Sequence, residues 1–430
     1  MARPRARSLC SLALAAAAAL LLACDTTPPV EEGAESDPEP ELVARELEQA
    51  LPASLDARVT TYLEQYGRHW PTFRFHGAVL VARGEQVAVD HAYGYADLVS
   101  GVTNEPGTAF RIGTISAQLT AVATLRLHEA GVLRLDDPVA KHLPGWPGGK
   151  VITLEHLLSH RSGIPSYTEG TGFEAWKQGP RTLADTLALF RDAPLEFDPG
   201  SDTEPSNSNT VLLGAALEAA TGKPYEQVVA EQVLEPAGMT HTRYALSDAP
   251  QAVGMTYHED DYLEVVHGVH PTAFGPAGGW LSTTGDLLRL YRALSPSEGS
   301  SEPLLSARTV ELMRSGGGEG LGYGWARSDV LGRTAVGWPG LIDGFNSAVL
   351  HVPGDDTLIL VLSNSEVVPA GQLVEDIAAL VYEEDMPLRE EAMAVPVPIE
   401  EQLPAVGRYV LTRATEEALV AADSETEPMR

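Results

Sequence analysis

The strand-like segments of this 430-residue chain lie in two groups that are far apart in the sequence, and a mostly helical stretch separates them. β-Branched and aliphatic runs bounded by turn residues predict strands at 77–82, 86–95, 334–338, 345–352 and 357–363. The first two strands should form a hairpin. This order favours an α+β fold in which five antiparallel strands form one sheet flanked by helices. A mostly helical lobe at about residues 113–270 should interrupt that sheet.

Apolar residues at helical spacing predict the helices. An amphipathic helix is expected from about Leu42 to Tyr66. Further helices are predicted at 121–130, 210–221 and 284–294, and the first two end at a glycine that suits a helix C-terminus. With strands on both sides of these helices, we expect a cleft where the lobe meets the sheet, because ligands usually bind at such boundaries.

The N-terminal residues predict export. Three arginines precede an apolar run at 12–22, which is too short to span a bilayer comfortably, and the run leads to Ala23 and Cys24. This pattern is typical of a lipoprotein signal peptide over residues 1–24, with Cys24 as the lipidated first residue of the mature chain. The predicted location is the bacterial cell envelope, either periplasmic or on the outer surface. The alternative is a soluble secreted chain that is cut nearby.

The regions that flank the core have a different composition. Residues 25–45 are rich in acidic residues and proline, and they predict an unstructured tether before a domain at 46–385. Residues 386–430 return to proline and glutamate and predict a poorly ordered tail, with one short possible strand at 403–410. The formal net charge of −31 argues against nucleic acid or an anionic membrane surface as a partner.

Several motifs then occur in a recognisable order. The segment Phe110-Arg-Ile-Gly-Thr-Ile-Ser-Ala117 precedes a predicted helix, and the later motifs are found at residues 152–165, 199–200, 212–214, 235–240, 276–283 and 322–325. Together they closely resemble the serine β-lactamase and penicillin-binding-protein family, in particular the hydrolases related to class C β-lactamases. The resemblance implies a β-lactamase/transpeptidase-like fold and an acyl-enzyme mechanism without a cofactor.

The family's first catalytic motif is Ser-x-x-Lys, in which the lysine lies over the serine on one helix face. The resemblance places these positions at Thr114 and Ala117. Alanine offers no base, and the extra methyl group of threonine crowds the attack. None of the four lysines of the chain follows a serine at this spacing. Thr114 is instead expected to cap the helix that follows it.

The other two motifs are substituted as well. By the resemblance, Tyr-x-Asn falls at Pro205-Ser206-Asn207, so the proton-transferring tyrosine is absent and Asn207 is kept. The motif Lys-Thr-Gly or His-x-Gly falls at Trp338-Pro339-Gly340, where an indole replaces the cation.

The predicted ligand pocket is lined by Thr114, Asn207, Trp338, Gly340 and Leu341. By the resemblance, the backbone N–H groups of Thr114 and Leu341 form the oxyanion hole, which does not depend on side chains. Gly340 should allow close approach of the backbone.

Metal binding is not predicted. His156 and His160 are four residues apart and could share a helix face, but no His-Glu-x-x-His motif is present. His267 and His270 are interpreted as loop histidines. The acid pairs at 260–261 and 355–356 are interpreted as turn residues, because neither has the spacing of a calcium loop.

The sequence leaves two functions open. The first is an inactive envelope lipoprotein that binds or scaffolds, with a cell-wall peptide or another small amide or ester as its ligand. The second is a serine hydrolase of the β-lactamase, D-alanyl-D-alanine carboxypeptidase or esterase type with rearranged catalytic residues, in which Thr114 or Ser116 attacks. Ser116 should point about 160 to 200 degrees away from Thr114 on a helix, which disfavours it.

Overall fold

A computed structural model describes residues 54–69, 74–244, 251–258, 262–266, 269–295, 303–316 and 320–382. The predicted signal peptide with Cys24, the tether and the C-terminal tail lie outside these residues. So does the first half of the predicted N-terminal helix. None of the described helices is long and apolar enough to cross a membrane.

The main sheet has six strands, one more than predicted, and all neighbouring strands are antiparallel. In spatial order they are β10 (Ala326–Val330), β11 (Arg333–Ile342), β12 (Phe345–Val352), β13 (Thr357–Ser363), β1 (Gly77–Arg83) and β2 (Gln86–Tyr93). The N-terminal hairpin thus pairs with the last strand, which confirms that one sheet is built from both ends of the domain. The extra strand, β10, lies at the edge, and three of its five residues are exposed.

The helices lie on both faces of the sheet and in the lobe. They are α1 (Leu55–His69), α2 (Ser116–Glu129), α3 (Val139–His142), α4 (Leu154–Leu158), α5 (Phe173–Trp176), α6 (Leu183–Phe190), α7 (Asn207–Thr221), α8 (Tyr225–Val229), α9 (Glu235–Ala237), α10 (Thr284–Leu294), α11 (Ala307–Ser315) and α12 (Ala370–Val381). A π-helical turn, Ala230–Leu234, joins α8 to α9. The α+β class and the mostly helical lobe are therefore confirmed.

The lobe also contains short strands that the sequence did not predict. Three of them form a small sheet in the order β5 (Phe110–Arg111), β9 (Trp280–Ser282) and β6 (Arg243–Tyr244). The remaining pairs are β3 (Tyr95–Asp97) with β4 (Val102–Thr103), and β7 (Met255–His258) with β8 (Tyr262–Val265). Strand β5 lies shortly before α2 in the chain, and the small sheet pairs it with β9, the strand shortly before α10.

Strand β1 illustrates how the sheet divides the core. Leu80 and its alternate neighbours belong to the core that the lobe helices cover, whereas Val79 and Val81 belong to the core under α1 and α12. Successive strand residues point to opposite faces, so a continuous apolar run is what a strand needs when both faces are covered. Each buried valine or leucine of this strand contributes about 2 kcal/mol by burial.

Candidate functional site

A single-turn 3₁₀ helix, Gly113–Ile115, carries Thr114 and lies directly against strand β11. Gly113 has a φ of 51°, and a Cβ there would lie 2.8 Å from the carbonyl oxygen of Leu341. On the strand, a Cβ on Gly340 would lie 2.3 Å from the carbonyl oxygen of Ile112. Both positions therefore need glycine, because the two backbones touch. This contact fixes the position of Thr114 relative to the sheet.

The Thr114 side chain does not cap the following helix, contrary to the prediction. Helix α2 begins after Ile115 and has no side-chain cap bond. The Thr114 hydroxyl instead donates to the carbonyl oxygen of Pro339, at 2.7 Å. The strand approaches so closely that its carbonyl becomes the nearest acceptor. No acid, histidine or lysine among the described residues hydrogen-bonds this hydroxyl.

The residues that follow Thr114 offer no replacement nucleophile. Ser116 is fully buried, and its hydroxyl has no hydrogen-bond partner. It therefore faces away from the solvent that reaches Thr114, in agreement with the angle expected on a helix. Ala117 lies partly exposed one residue further on, with no base at the position where the family has lysine.

The segment of the second motif lies where the lobe begins helix α7. Asn207 is the first residue of that helix, and its amide nitrogen donates to the Thr168 hydroxyl at 3.0 Å. Its backbone N–H donates to the Ser166 hydroxyl at 3.3 Å. Pro205 is half-buried and provides neither a donor nor a titratable group. These two hydrogen bonds hold Asn207 to the lobe, and Asn207 makes no hydrogen bond to Thr114.

His160 was not predicted as a site residue, yet it contacts the predicted residue Trp338. The two rings are stacked, with centroids 6.1 Å apart and an interplanar angle of 8°. The Nδ1 atom of His160 accepts the backbone N–H of Ser206 at 3.2 Å and lies 3.2 Å from the Asn209 amide nitrogen. Because Nδ1 is an acceptor, the proton of the neutral ring lies on Nε2. Burial lowers the pKa of His160 to about 4, so the ring is neutral at pH 7.

A cavity of about 460 Å³ opens beside Thr114, between the lobe and strand β11. Its lining comprises Thr114, Thr168, Phe173, Glu174, Lys177, Asn207, Phe274, Ala277, Gly278, Leu341, Ile342, Asp343, Glu366 and Val367. Of the predicted pocket residues, Thr114, Asn207 and Leu341 line it, whereas Trp338 and Gly340 do not. Trp338 stacks on His160, and Gly340 packs against the Thr114 turn.

Lys177, which follows α5, provides a cation on the cavity wall that sequence reasoning missed. Its ammonium group lies 2.6 Å from a carboxylate oxygen of Glu174 and also binds Asp343 in the turn after β11. Burial alone would lower the pKa of Lys177, but the hydrogen bonds to Asp343 and Glu174 outweigh it and raise the pKa. Lys177 is therefore a fully charged ammonium group and cannot take a proton from Thr114.

The histidines and acids that were weighed as metal ligands have other partners. His156 caps its own helix, α4, through a capping box with Thr153, and His160 lies beyond the end of that helix with a φ of 55°. The two rings thus do not share a helix face. His270 caps a 3₁₀ turn.

The predicted turn acids also pair with side chains. Asp355 lies 3.2 Å from the Arg83 guanidinium, and Asp356 lies 2.9 Å from His351. His267, Asp260 and Asp261 lie outside the described residues. No cluster of three or more metal-ligating side chains occurs in the described ranges.

Sequence signals for the missed cavity residues are weak. Asp343 follows the third motif by three residues, and Glu366 comes three residues after the last strand, so both lie at strand ends facing the cleft. Lys177 lies in a segment without periodicity, and its partner Asp343 is 166 residues away. Only the folded chain brings these groups together.

A family model described as Beta-lactamase matches residues 74–383. The chain is 29% identical over 319 residues to a penicillin-binding protein of Bacillus subtilis, covering 68% of this chain and 69% of that one. It is 30% identical over 312 residues to the esterase EstB of Burkholderia gladioli, covering 64% of this chain and 78% of that one.

One relative is matched over less than half of its length, whereas a solved structure is matched over almost all of its length. The chain spans 46% of the length of a further Bacillus subtilis relative, to which it is 32% identical over 197 residues. The crystal structure of a penicillin-binding protein from Bacillus halodurans superposes with a TM-score of 0.64 at 27% identity. That match covers 74% of this chain and 98% of the other.

Proposed function

Since the chain belongs to the beta-lactamase family, we propose that it is a non-catalytic member that holds a small amide, ester or peptide in the cavity at Thr114. The observation that carries this proposal is the hydrogen bond from the Thr114 hydroxyl to the carbonyl oxygen of Pro339. A nucleophilic hydroxyl must give its proton to a base as it attacks. A backbone carbonyl is not such a base.

The surroundings of Thr114 support the same reading. The described part of the chain brings no base to Thr114, since Ala117 has none and Lys177 stays protonated between two carboxylates. Pro205 cannot pass a proton to a leaving group. A hydrolase would need both a base for the nucleophile and a proton donor for the leaving group.

The cavity supports binding. It has room for a small ligand, and its walls combine two phenylalanines with a few polar groups, a composition typical of ligand sites. The relatives are named as penicillin-binding proteins and esterases, which favours an amide or ester, such as a cell-wall peptide. The turn that carries Thr114 and the strand that carries Leu341 are in contact. The oxyanion hole that the family resemblance assigns to the backbone N–H groups of these two residues would hold a carbonyl oxygen without attack.

Covalent labelling tests the lack of catalysis. We expect no mass increase after incubation with a fluorescent penicillin or a fluorophosphonate, measured by intact-protein mass spectrometry. Hydrolysis of p-nitrophenyl acetate should be equal for the protein and for Thr114→Ala. An adduct that disappears in Thr114→Ala would overturn the proposal and establish a rearranged hydrolase.

A variant with restored motifs tests whether the rest of the cleft is still suited to catalysis. Thr114→Ser with Ala117→Lys and Pro205→Tyr returns the three missing side chains of the first two motifs. We expect it to gain little activity, because Trp338 still stands where the family has a cation and stacks on His160. Appreciable turnover would show that Trp338 is compatible with catalysis.

We also propose that the protein is a lipoprotein of the cell envelope anchored through Cys24. The arginines, the short apolar run and Cys24 support this. In a bacterial host, the full chain should incorporate labelled palmitate and sediment with membranes, whereas Cys24→Ser should lose the label and leave the membrane fraction. Equal labelling of both would contradict the assignment of the lipid site.

A further inference from the structure

Five charged groups lie at or next to the cavity, and their charges do not cancel. Glu174, Asp343, Glu366 and Lys177 are among the residues that line it. Burial lowers the pKa of Arg111, and the nearby Asp343 carboxylate acts in the opposite direction. The Arg111 guanidinium lies over the Phe345 ring. Three negative charges therefore face two positive charges.

The cavity's ammonium group is not available to an anionic ligand. Lys177 donates to Glu174 and to Asp343, and its nitrogen also lies 5.9 Å from the centre of the Phe173 ring. Its side chain is only 9% exposed. A carboxylate on a ligand would have to displace one of these partners. The family's usual cation is also missing, because Trp338 replaces it.

The unbalanced negative charge of the cavity lies on Glu366. Its carboxylate accepts the Thr256 hydroxyl and, at 2.8 Å, the backbone N–H of Gly344. Both donors are neutral, so they orient the carboxylate without cancelling its charge. No ion pair to Glu366 occurs among the residues that the structure describes. A carboxylate has about four acceptor sites, so it can accept further hydrogen bonds.

The rest of the wall suits an apolar body with a positive end. Phe173 and Phe274 meet edge to face, with ring centroids 5.6 Å apart, and Leu341, Ile342 and Val367 add aliphatic surface. Aromatic ring faces attract cations and pack against flat apolar groups.

We propose that the cavity takes a primary amine with an aromatic or aliphatic body, bound with its ammonium group on Glu366. This inference rests on the proposed binding function and specifies the charge of the ligand. A ligand with a free carboxylate should be rejected, because Lys177 is already paired and Glu366 repels it.

Three probes of equal length test the charge. They are 3-phenylpropylamine, 3-phenylpropan-1-ol and 3-phenylpropionate, and binding to the protein at neutral pH is measured by NMR titration. The amine should have a dissociation constant about fivefold lower than the alcohol. The carboxylate should bind most weakly.

Two variants and a control connect the preference to Glu366. Glu366→Gln should raise the dissociation constant of the amine to that of the alcohol. Val367→Lys adds a cation to the same wall and should reverse the order of amine and carboxylate, which keeps the test open if the first variant does not fold. Glu226→Gln removes an exposed helix charge outside the lining and should change nothing.

The outcomes separate this inference from the proposed function. Equal binding of the three probes, binding by none, or an amine preference that survives Glu366→Gln would overturn the inference. None of the probes contains an acyl bond that can be transferred. A fluorophosphonate adduct, formed by a reagent without a carboxylate, would therefore overturn the non-catalytic function and leave the order of the probes as a separate result.

Discussion

The Gly340→Ala variant is expected to lose about 3 kcal/mol of unfolding free energy. The added Cβ would lie 2.3 Å from the carbonyl oxygen of Ile112 and 2.9 Å from the Cδ1 of Ile115. The first of these atoms is backbone, so it cannot move unless the Thr114 turn moves with it. The variant should separate strand β11 from that turn and distort the cavity.

Urea denaturation followed by circular dichroism measures this loss. Gly354→Ala is the matched control, because a Cβ there meets no atom within 4 Å and the φ of Gly354 is not in the left-handed range. The control should stay within about 1 kcal/mol of the parent protein. Equal stability of the two variants would mean that the strand and the turn are not in contact.

The second large effect is a loss of stability in acid that depends on His160. Burial lowers the pKa of His160 to about 4, whereas an unfolded histidine has a pKa of 6.5. As the pH falls from 6.5 towards 4, this histidine becomes protonated in the unfolded chain but stays neutral in the folded protein. The folded state therefore loses stability. The full difference is about 3 kcal/mol. His76, with its pKa also lowered to about 4 by burial, should act in the same direction.

Urea denaturation between pH 7 and pH 4 in parent and His160→Asn isolates this contribution. Asparagine tolerates the left-handed backbone of position 160, where φ is 55°. The variant will be weaker at pH 7, because it loses the ring that stacks on Trp338. Its further loss on acidification should be about 3 kcal/mol smaller than in the parent. If the parent and the variant lost the same unfolding free energy between pH 7 and pH 4, the buried ring would be protonated in the folded state.

The sequence predicted most of the long strands because their signal is local, but it ended β11 at residue 338, whereas that strand continues to Ile342. Strands β12 and β13 coincide with the predicted runs at 345–352 and 357–363, because both are rich in aliphatic and β-branched residues and are joined by turn residues at 353–356. Strand β10 was missed because Ala-Arg-Ser-Asp-Val has little apolar content and is held at the sheet edge by pairing with β11. The two- and three-residue strands of the lobe are too short to show a period.

The candidate site was only partly accessible to sequence reasoning. Motif spacing located Thr114, Asn207 and Leu341, which line the cavity. It could not find the Lys177 ion pairs, because these depend on contacts across 166 residues. It also assigned Thr114 to the helix N-terminus, since spacing cannot reveal that a neighbouring strand brings a carbonyl closer.

The acceptor of the Thr114 hydroxyl changes what a hydroxyl residue at position 114 signifies. Replacing Thr114 with alanine leaves the Pro339 carbonyl without this partner, so folding alone gives a reason to keep a hydroxyl there. Selection for stability and selection for catalysis would then both preserve a hydroxyl residue at position 114. For chains of this kind, a serine or threonine at the nucleophile position should therefore not be counted as a sign of activity unless the lysine three residues later accompanies it.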